Sequence, residues 1–413
     1  MSSKNSPWAW VPTLYFAEGI PYFIVNVISV TMFKRLGMSN GNLAMFTSLL
    51  YLPWVIKPLW SPFVDVIRTK RWWILVLQGI MTAGFAAIAL CVGRSPFVVT
   101  LILFYIVAFA SATADIASDG YYMIALGQKQ QSAFVGIRST FYRLASVFGQ
   151  GVLVVIAGVL EVRTGDIPVA WSLTLLSSAL LFAVITLWHL RFLPKAEQPV
   201  CNLSASEILR GFAGSWVSFF RKPGVWLAVT FMLLYRLPEA FSVKMLSPFM
   251  LDAVEDGGLG LTTARSGLVY GTVGVIALTI GGILGGLFAA RYGLKRSLWP
   301  MSLSLALPCA VYLYMAAAQP TDLWVIYLCV AFDQFGYGFG FTAYMLYMMH
   351  FSEGGFKTSH YAICTAFMAL SMMLPGLVAG YIQQAVGYVG FFVIVMVCCL
   401  ATVCVTWSVR RRL

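Results

Sequence analysis

Twelve largely apolar stretches of about 20 residues or more, separated by short polar breaks, take up nearly the whole chain. Each can cross a hydrocarbon core of roughly 30 Å as a helix rising about 1.5 Å per residue. Backbone in lipid must satisfy its own N–H and C=O groups, so spans of this kind are helices. The expected spans are 9–33, 43–64, 72–92, 97–125, 132–160, 168–190, 224–250, 265–290, 297–317, 322–349, 358–385 and 388–409. Of the 413 residues 60% are hydrophobic and 10% charged, against roughly a quarter charged in soluble domains. The expected fold class is therefore an all-α membrane protein with twelve transmembrane helices, and no water-soluble fold can hide this much apolar surface.

One hydrophilic stretch divides the chain. We expect an N-terminal six-helix half (1–190), a linker with an amphipathic helix (191–223) and a C-terminal six-helix half (224–413). The linker carries a capping-box pattern, Ser204 to Glu207, then Ile208, Phe212, Trp216 and Phe220 at helical spacing, as in a helix lying on a membrane surface. Lys and Arg gather on one side of the expected spans, from Arg68, Lys70 and Arg71 to Arg410, Arg411 and Arg412. The other side holds only Lys34, Arg35, Arg94, Arg163 and Arg265. That bias places both termini in the cytoplasm and accounts for the formal charge of +12, so no nucleic-acid partner is expected. The N-terminus lacks the features of a cleaved secretory signal. Seven of the eight cysteines lie within apolar segments without metal-ligand spacing and read as small packing residues.

The halves repeat weakly at matching places. Thr13 and Pro21 recur as Thr230 and Pro238, and Phe109 and Tyr121 recur as Phe332 and Tyr344. The loop FVDVIRTKRWW from Phe63 likewise resembles FAARYGLKRSLW from Phe288. Both loops resemble the gating-loop motif of major facilitator transporters, carried here by Asp65, Arg68, Lys70 and Arg71 in one copy and by Arg291, Lys295 and Arg296 in the other. Such cations can bind helix C-terminal carbonyls and a neighbouring carboxylate, favouring one state of a transport cycle; plain positive-inside anchoring is the simpler reading. The resemblance implies a major facilitator fold of two pseudo-symmetric six-helix halves.

Further strings narrow the resemblance. LYLPWVIKPLWSPFVD (50–65), SATADIASDG (111–120), FYRL (141–144), YRLPEAF (235–241), SPFMLD (247–252) and GGILGGLFAARYGLKRSL (281–298) resemble the AmpG muropeptide permeases, in the peptide and acetyl-coenzyme A transporter branch of that superfamily. Two departures stand out: Glu18 precedes the Gly19-Ile20-Pro21 turn where a serine is usual, and Leu237-Pro238-Glu239 replaces leucine-glycine-aspartate.

Ionisable residues inside spans are costly unless paired or facing a cavity, so each is a functional candidate. The expected set is Glu18, Asp115, Asp119, Arg138, Arg143, Arg236, Glu239, Lys244 and Asp333. Asp115 and Asp119, four apart, share a helix face. In an antiparallel pair of the fourth and fifth helices, Asp119 matches Arg138 in depth and Asp115 matches Arg143. This reads either as a structural ladder or as a proton site, with Asp119 ahead of Asp115 and Glu18 as coupling candidates. Arg138, Arg143, Arg236, Glu239 and Lys244 are expected to bind substrate, with Tyr22, Tyr142 and Tyr344 among the aromatic contacts, although Arg236 and Glu239 can also simply neutralise each other.

No paired-histidine, phosphate-loop or nucleophile-elbow motif appears, so neither enzyme chemistry, a metal nor a cofactor is expected, and transport must draw on a gradient. The expected function is a proton-coupled importer of anhydromuropeptides or related amino-sugar compounds in a bacterial inner membrane. The expected partners are an anionic sugar-peptide, protons and the lipid bilayer, and the expected state is a monomer. A same-branch transporter of another anionic solute (acyl-coenzyme A, siderophore, drug) and a transporter-like sensor are the alternatives.

Overall fold

The computed structural model describes residues 6–195 and 205–413, except the side chains of 65, 66, 128, 132, 135 and 205–209. Ser204 and the side chains of Asp65, Glu207 and Ile208 therefore lie outside the described residues. Twelve helical tracts follow in order. They are α1 (Pro7–Arg35), α2 (40–66), α3 (Lys70–Cys91), α4 (Phe97–Ala125), α5 (128–164) and α6 (Ile167–Phe192). After a connector helix (Ala205–Phe220) come α7 (Val225–Leu251), α8 (Thr263–Tyr292), α9 (Leu294–Ala318), α10 (Leu323–Phe351), α11 (357–386) and α12 (388–412).

By length and composition alone, eight helices among the described residues can cross a membrane, or nine with the pair bent by 88° between connector and α7. The difference from twelve has local causes. Pro53, Pro58 and Pro62 break α2 into short pieces, because each removes a backbone donor and crowds the preceding turn. The middle of α10 carries Asp333, Gln334 and three glycines. Helices α11 and α12 run together in one hydrogen-bonded tract, turned at Gly387, whose φ of 69° suits glycine.

Packing explains which faces are apolar. In the first six tracts Phe85, Phe104, Trp171 and Phe182 are buried, and in the last six Phe231, Phe249, Tyr312 and Phe392. Leu180, Leu187, Leu328 and Leu400 are exposed, as side chains facing acyl chains must be. Between the two sets, α5 meets α8 and α2 meets α11. These crossings are close because glycine backbone forms them. A Cβ on Gly271 would collide with the Gln150 backbone, one on Gly158 with Ala264, and one on Gly380 with Asn40.

The two loop faces differ. Arg68, Arg71, Arg221, Lys222, Arg291, Lys295, Arg296 and the Arg410 to Arg412 tail share one, called here the basic face. At the opposite face two carboxylates tie the sets together. Glu161 of α5 accepts from Arg35 at 3.0 Å, Trp171 Nε1 at 2.9 Å and Thr263 Oγ1 of α8 at 2.7 Å. Asp252, after α7, pairs with Lys34 of α1 and accepts from Asn40 Nδ2 at 3.1 Å and Tyr388 OH at 2.6 Å. Thr31 and Ser247 add a hydroxyl pair at 2.9 Å. Among the described residues, the side-chain bonds joining the two sets run from Lys244 to this opposite face. Gly271→Val should therefore lower the stability of the purified protein by about 1–3 kcal/mol, the usual cost of overpacking; an unchanged melting temperature would contradict the close α5–α8 approach.

Candidate functional site

Three carboxylates gather beside α1. Tyr15, Glu18 and Tyr22 follow at helical spacing and share one face. Tyr15 OH donates to Asp119 Oδ1 at 3.4 Å, and Arg138 of α5 bonds the same oxygen at 2.6 Å. The Arg138 guanidinium also lies over the Tyr15 ring at 4.4 Å and the Tyr122 ring at 5.7 Å, where the aromatic faces favour a cation. The expected Asp119–Arg138 contact is thus formed.

The expected Asp115–Arg143 contact is not. Asp115 pairs instead with Lys57 at 3.3 Å and accepts from Trp54 Nε1 at 3.1 Å. The reason is helical phase. Arg138 and Arg143 are five residues apart, roughly 140° around a helix of 3.6 residues per turn, so both cannot face α4. Matched depth alone is no evidence of contact. Lys57 fills the vacancy because the Pro58 break places a 3₁₀ turn, Lys57–Leu59, opposite Asp115. Lys57 falls inside the expected span 43–64, yet the sequence-based set of intramembrane charges omits it. Its signal was a lysine directly before a proline within an apolar run.

Glu18 is the third carboxylate. Its charged neighbours are Asp119, Asp115, Arg138 and Lys57, but Oε2 is buried and has no hydrogen-bond partner. Solvent reaches this cluster. The Asp115 side chain is 17% exposed and that of Lys57 27%, although Asp115 stands ten residues, about 15 Å, from the nearer end of α4. Exposure rises towards the basic end, to 43% for the Asp119 side chain, so a cleft between the halves, here the cavity, leads from the basic face to this cluster.

Across the cavity, Arg236 and Glu239 form a buried pair at 3.1 Å at the turn where Pro238 restarts α7. Arg236 also donates to Tyr337 OH at 2.7 Å and lies over Phe341 at 4.7 Å. The pair is largely self-contained. Tyr22 counts Arg236 among its charged neighbours and sits edge-on to Tyr51 and Trp54, so it stands where the halves meet. Tyr142 packs on Phe23 at 5.8 Å. Arg143 lies against Gly282 of α8 and has no ion pair or side-chain hydrogen bond among the described residues. Tyr344 is fully buried, donates to the Met232 carbonyl at 2.7 Å and stacks on Tyr235, so in this conformation it is a packing residue. Lys244 is buried, donates to Thr47 Oγ1 at 3.1 Å and lies 5.5 Å from the Tyr51 ring centre.

The basic loops behave differently from each other. Arg71 donates to the Leu190 and Leu193 carbonyls at 2.8 and 3.1 Å, where α6 ends and unpaired carbonyls collect negative charge. Lys70 is buried beside Gly120, and Arg68 is exposed near Trp72. In the second loop Arg291, Lys295 and Arg296 are all exposed. The opposite-face carboxylates Glu161 and Asp252 escaped the sequence reading because each lies at a span end, where an acidic residue looks like an ordinary loop residue.

Two sets of six largely apolar helices, tied together at one face and carrying ionisable side chains between them, have the architecture of a secondary transporter. The chain belongs to the Major Facilitator Superfamily, whose family profile matches residues 13–359. It is similar to the anhydromuropeptide permease of Escherichia coli strain K12, 26% identical over 387 residues covering 92% of this chain and 74% of that one. It is also similar to an uncharacterized protein of Haemophilus influenzae, 22% identical over 391 residues covering 91% of this chain and 88% of the relative. Among solved structures, the nucleoside transporter NupG shares the fold with a TM-score of 0.71 at 15% identity, over 96% of each chain. A POT family transporter in complex with 5-aminolevulinic acid does so with a TM-score of 0.74 at 11% identity, over 95% of this chain and 94% of that one.

The revised pairing is testable. Lys57→Met strands Asp115 at mid-span and should cost roughly 1–3 kcal/mol, below the figure for a fully buried pair because water reaches it. Adding Asp115→Asn should restore most of the melting temperature. Arg143→Met should cost less than Lys57→Met; the reverse order would reinstate the Asp115–Arg143 pairing.

Proposed function

We propose that this transporter imports anhydromuropeptides or related amino-sugar compounds across a bacterial inner membrane in symport with protons. The substrate class is supported by the relatives named anhydromuropeptide permease and by the unpaired cations Arg143 and Lys244, which suit an anionic sugar-peptide. The positive-inside bias supports a cytoplasmic basic face and cytoplasmic termini, which makes this an inward-open state sealed towards the outside. The halves 1–190 and 224–413 then rock about the central cavity in a monomer, alternately exposing it.

Coupling rests on one observation: three carboxylates, Glu18, Asp115 and Asp119, face only two bonded cations, Lys57 and Arg138. Asp119 and Asp115 each hold a cation, so protonating either breaks an ion pair. Glu18 holds none and can exchange a proton without that loss, which moves the preferred coupling site from Asp119 to Glu18. Asp119 and Arg138 then sense its charge: a negative Glu18 competes for Arg138, and a neutral one leaves the pair intact. Arg138 can in turn pass the change to a bound anion.

In proteoliposomes, Glu18→Gln should fold, keep exchange of labelled anhydromuropeptide between the two sides, and lose at least tenfold of the accumulation driven by an outside-acid pH gradient. Full gradient-driven accumulation in a well-folded Glu18→Gln protein would remove Glu18 from coupling. Binding without exchange in the wild type would favour a sensor over a transporter.

A further inference from the structure

From Tyr51 towards the sealed face lies a pocket between the halves, bordered also by Asn26, Gln150, Lys244, Ser247 and Tyr270. Its walls are unusual. The three π-helical turns among the described residues, Ile24–Ile28 of α1, Val147–Leu153 of α5 and Gly267–Gly274 of α8, each send a polar side chain to it: Asn26, Gln150 and Tyr270 respectively. A π-turn inserts a residue into the helix ladder, weakening its hydrogen bonding, and such turns occur frequently at functional sites. Two of the three also form the close α5–α8 crossing, and all three border this pocket.

The polar groups are incompletely satisfied. Lys244 is 5% exposed and has no carboxylate within ion-pair distance among the described residues. Its ammonium has three donors and spends one on Thr47. Asn26 is 3% exposed, and while its Nδ2 donates to the Tyr22 carbonyl at 3.1 Å, its Oδ1 has no partner. Gln150 Nε2 is already committed to Ser146 Oγ at 2.7 Å. A buried cation without a counter-ion and a buried acceptor without a donor each cost stability, so the arrangement fits a ligand that brings both missing partners.

We propose that this pocket is a carboxylate subsite for the peptide end of the substrate. The carboxylate pairs with Lys244, and the amide N–H next to it donates to Asn26 Oδ1. Because Asn26 and Gln150 belong to one half and Lys244 and Tyr270 to the other, an occupant bridges the halves and biases the equilibrium between their arrangements. The peptide character of the occupant rests on the function proposed above; the carboxylate preference rests on the pocket alone.

The test separates the two. N-Acetylalanine and N-acetylalaninamide differ only in the carboxylate, and their binding to the purified full chain can be read from thermal shifts. Wild-type protein should bind the acid at least tenfold more tightly than the amide, and Lys244→Met should abolish the difference. Without ligand, Lys244→Met should melt higher than the wild type, because it removes an uncompensated buried charge, whereas a purely structural lysine would melt lower on removal. Lys244→Gln, which keeps a hydrogen-bond donor for Thr47, supplies the same comparison if the methionine variant folds poorly. Equal binding of acid and amide, or a preference that survives both substitutions, overturns the subsite. If the acid preference holds but an anhydromuropeptide fails to displace N-acetylalanine, the subsite stands and the muropeptide reading falls.

Discussion

A charge held at the level of the hydrocarbon core must be paired or reached by water, and this constraint organises the molecule. Arg236 and Glu239 satisfy it with each other, Arg138 and Asp119 across two helices, and Lys57 and Asp115 through a helix break. What remains after these pairings, among the described residues, is Glu18, Asp333, which accepts from Tyr312 OH at 2.6 Å and Gln334 Nε2 at 3.0 Å, and the cations Arg143 and Lys244. In the function proposed above, Glu18, Arg143 and Lys244 respond to protons and solute, while the paired groups hold the helices in place.

The two faces divide the work of the cycle. At the opposite face, adjacent residues Lys34 and Arg35 of α1 bind two separate carboxylates, Asp252 and Glu161, and each carboxylate also reaches the other half through Asn40 or Thr263. Glycine-lined crossings of α5 on α8 and of α2 on α11 let these short contacts form. At the basic face Arg71 holds the end of α6, while the corresponding cations after α8 stay in solvent. In the rocking motion proposed above, closing the basic face draws the opposite-face contacts apart.

Much of this was legible in the sequence, for reasons that also explain the rest. Span positions follow from apolar length, so all twelve expected starts fall within four residues of the start of a helical tract, and α2 is recognisable despite three prolines. Helix depth follows from residue count, which is why Asp119 and Arg138 were matched correctly. Rotation about the helix axis was the missing variable: it separated Arg143 from Asp115. Irregular backbone was the other. Neither the 3₁₀ turn that delivers Lys57 nor the π-turns that deliver Asn26, Gln150 and Tyr270 has a periodicity that sequence reading detects.

The central claim is that a sealed opposite face and an open basic face exchange roles. Paired spin labels report this most directly, one pair at Arg163→Cys and Asp256→Cys on the opposite face, the other at Lys129→Cys and Lys295→Cys on the basic face, in a background lacking the native cysteines. Adding anhydromuropeptide at acidic pH should lengthen the first distance and shorten the second within the same population. Distances that stay fixed, or that change at one face without the reciprocal change at the other, would contradict the account.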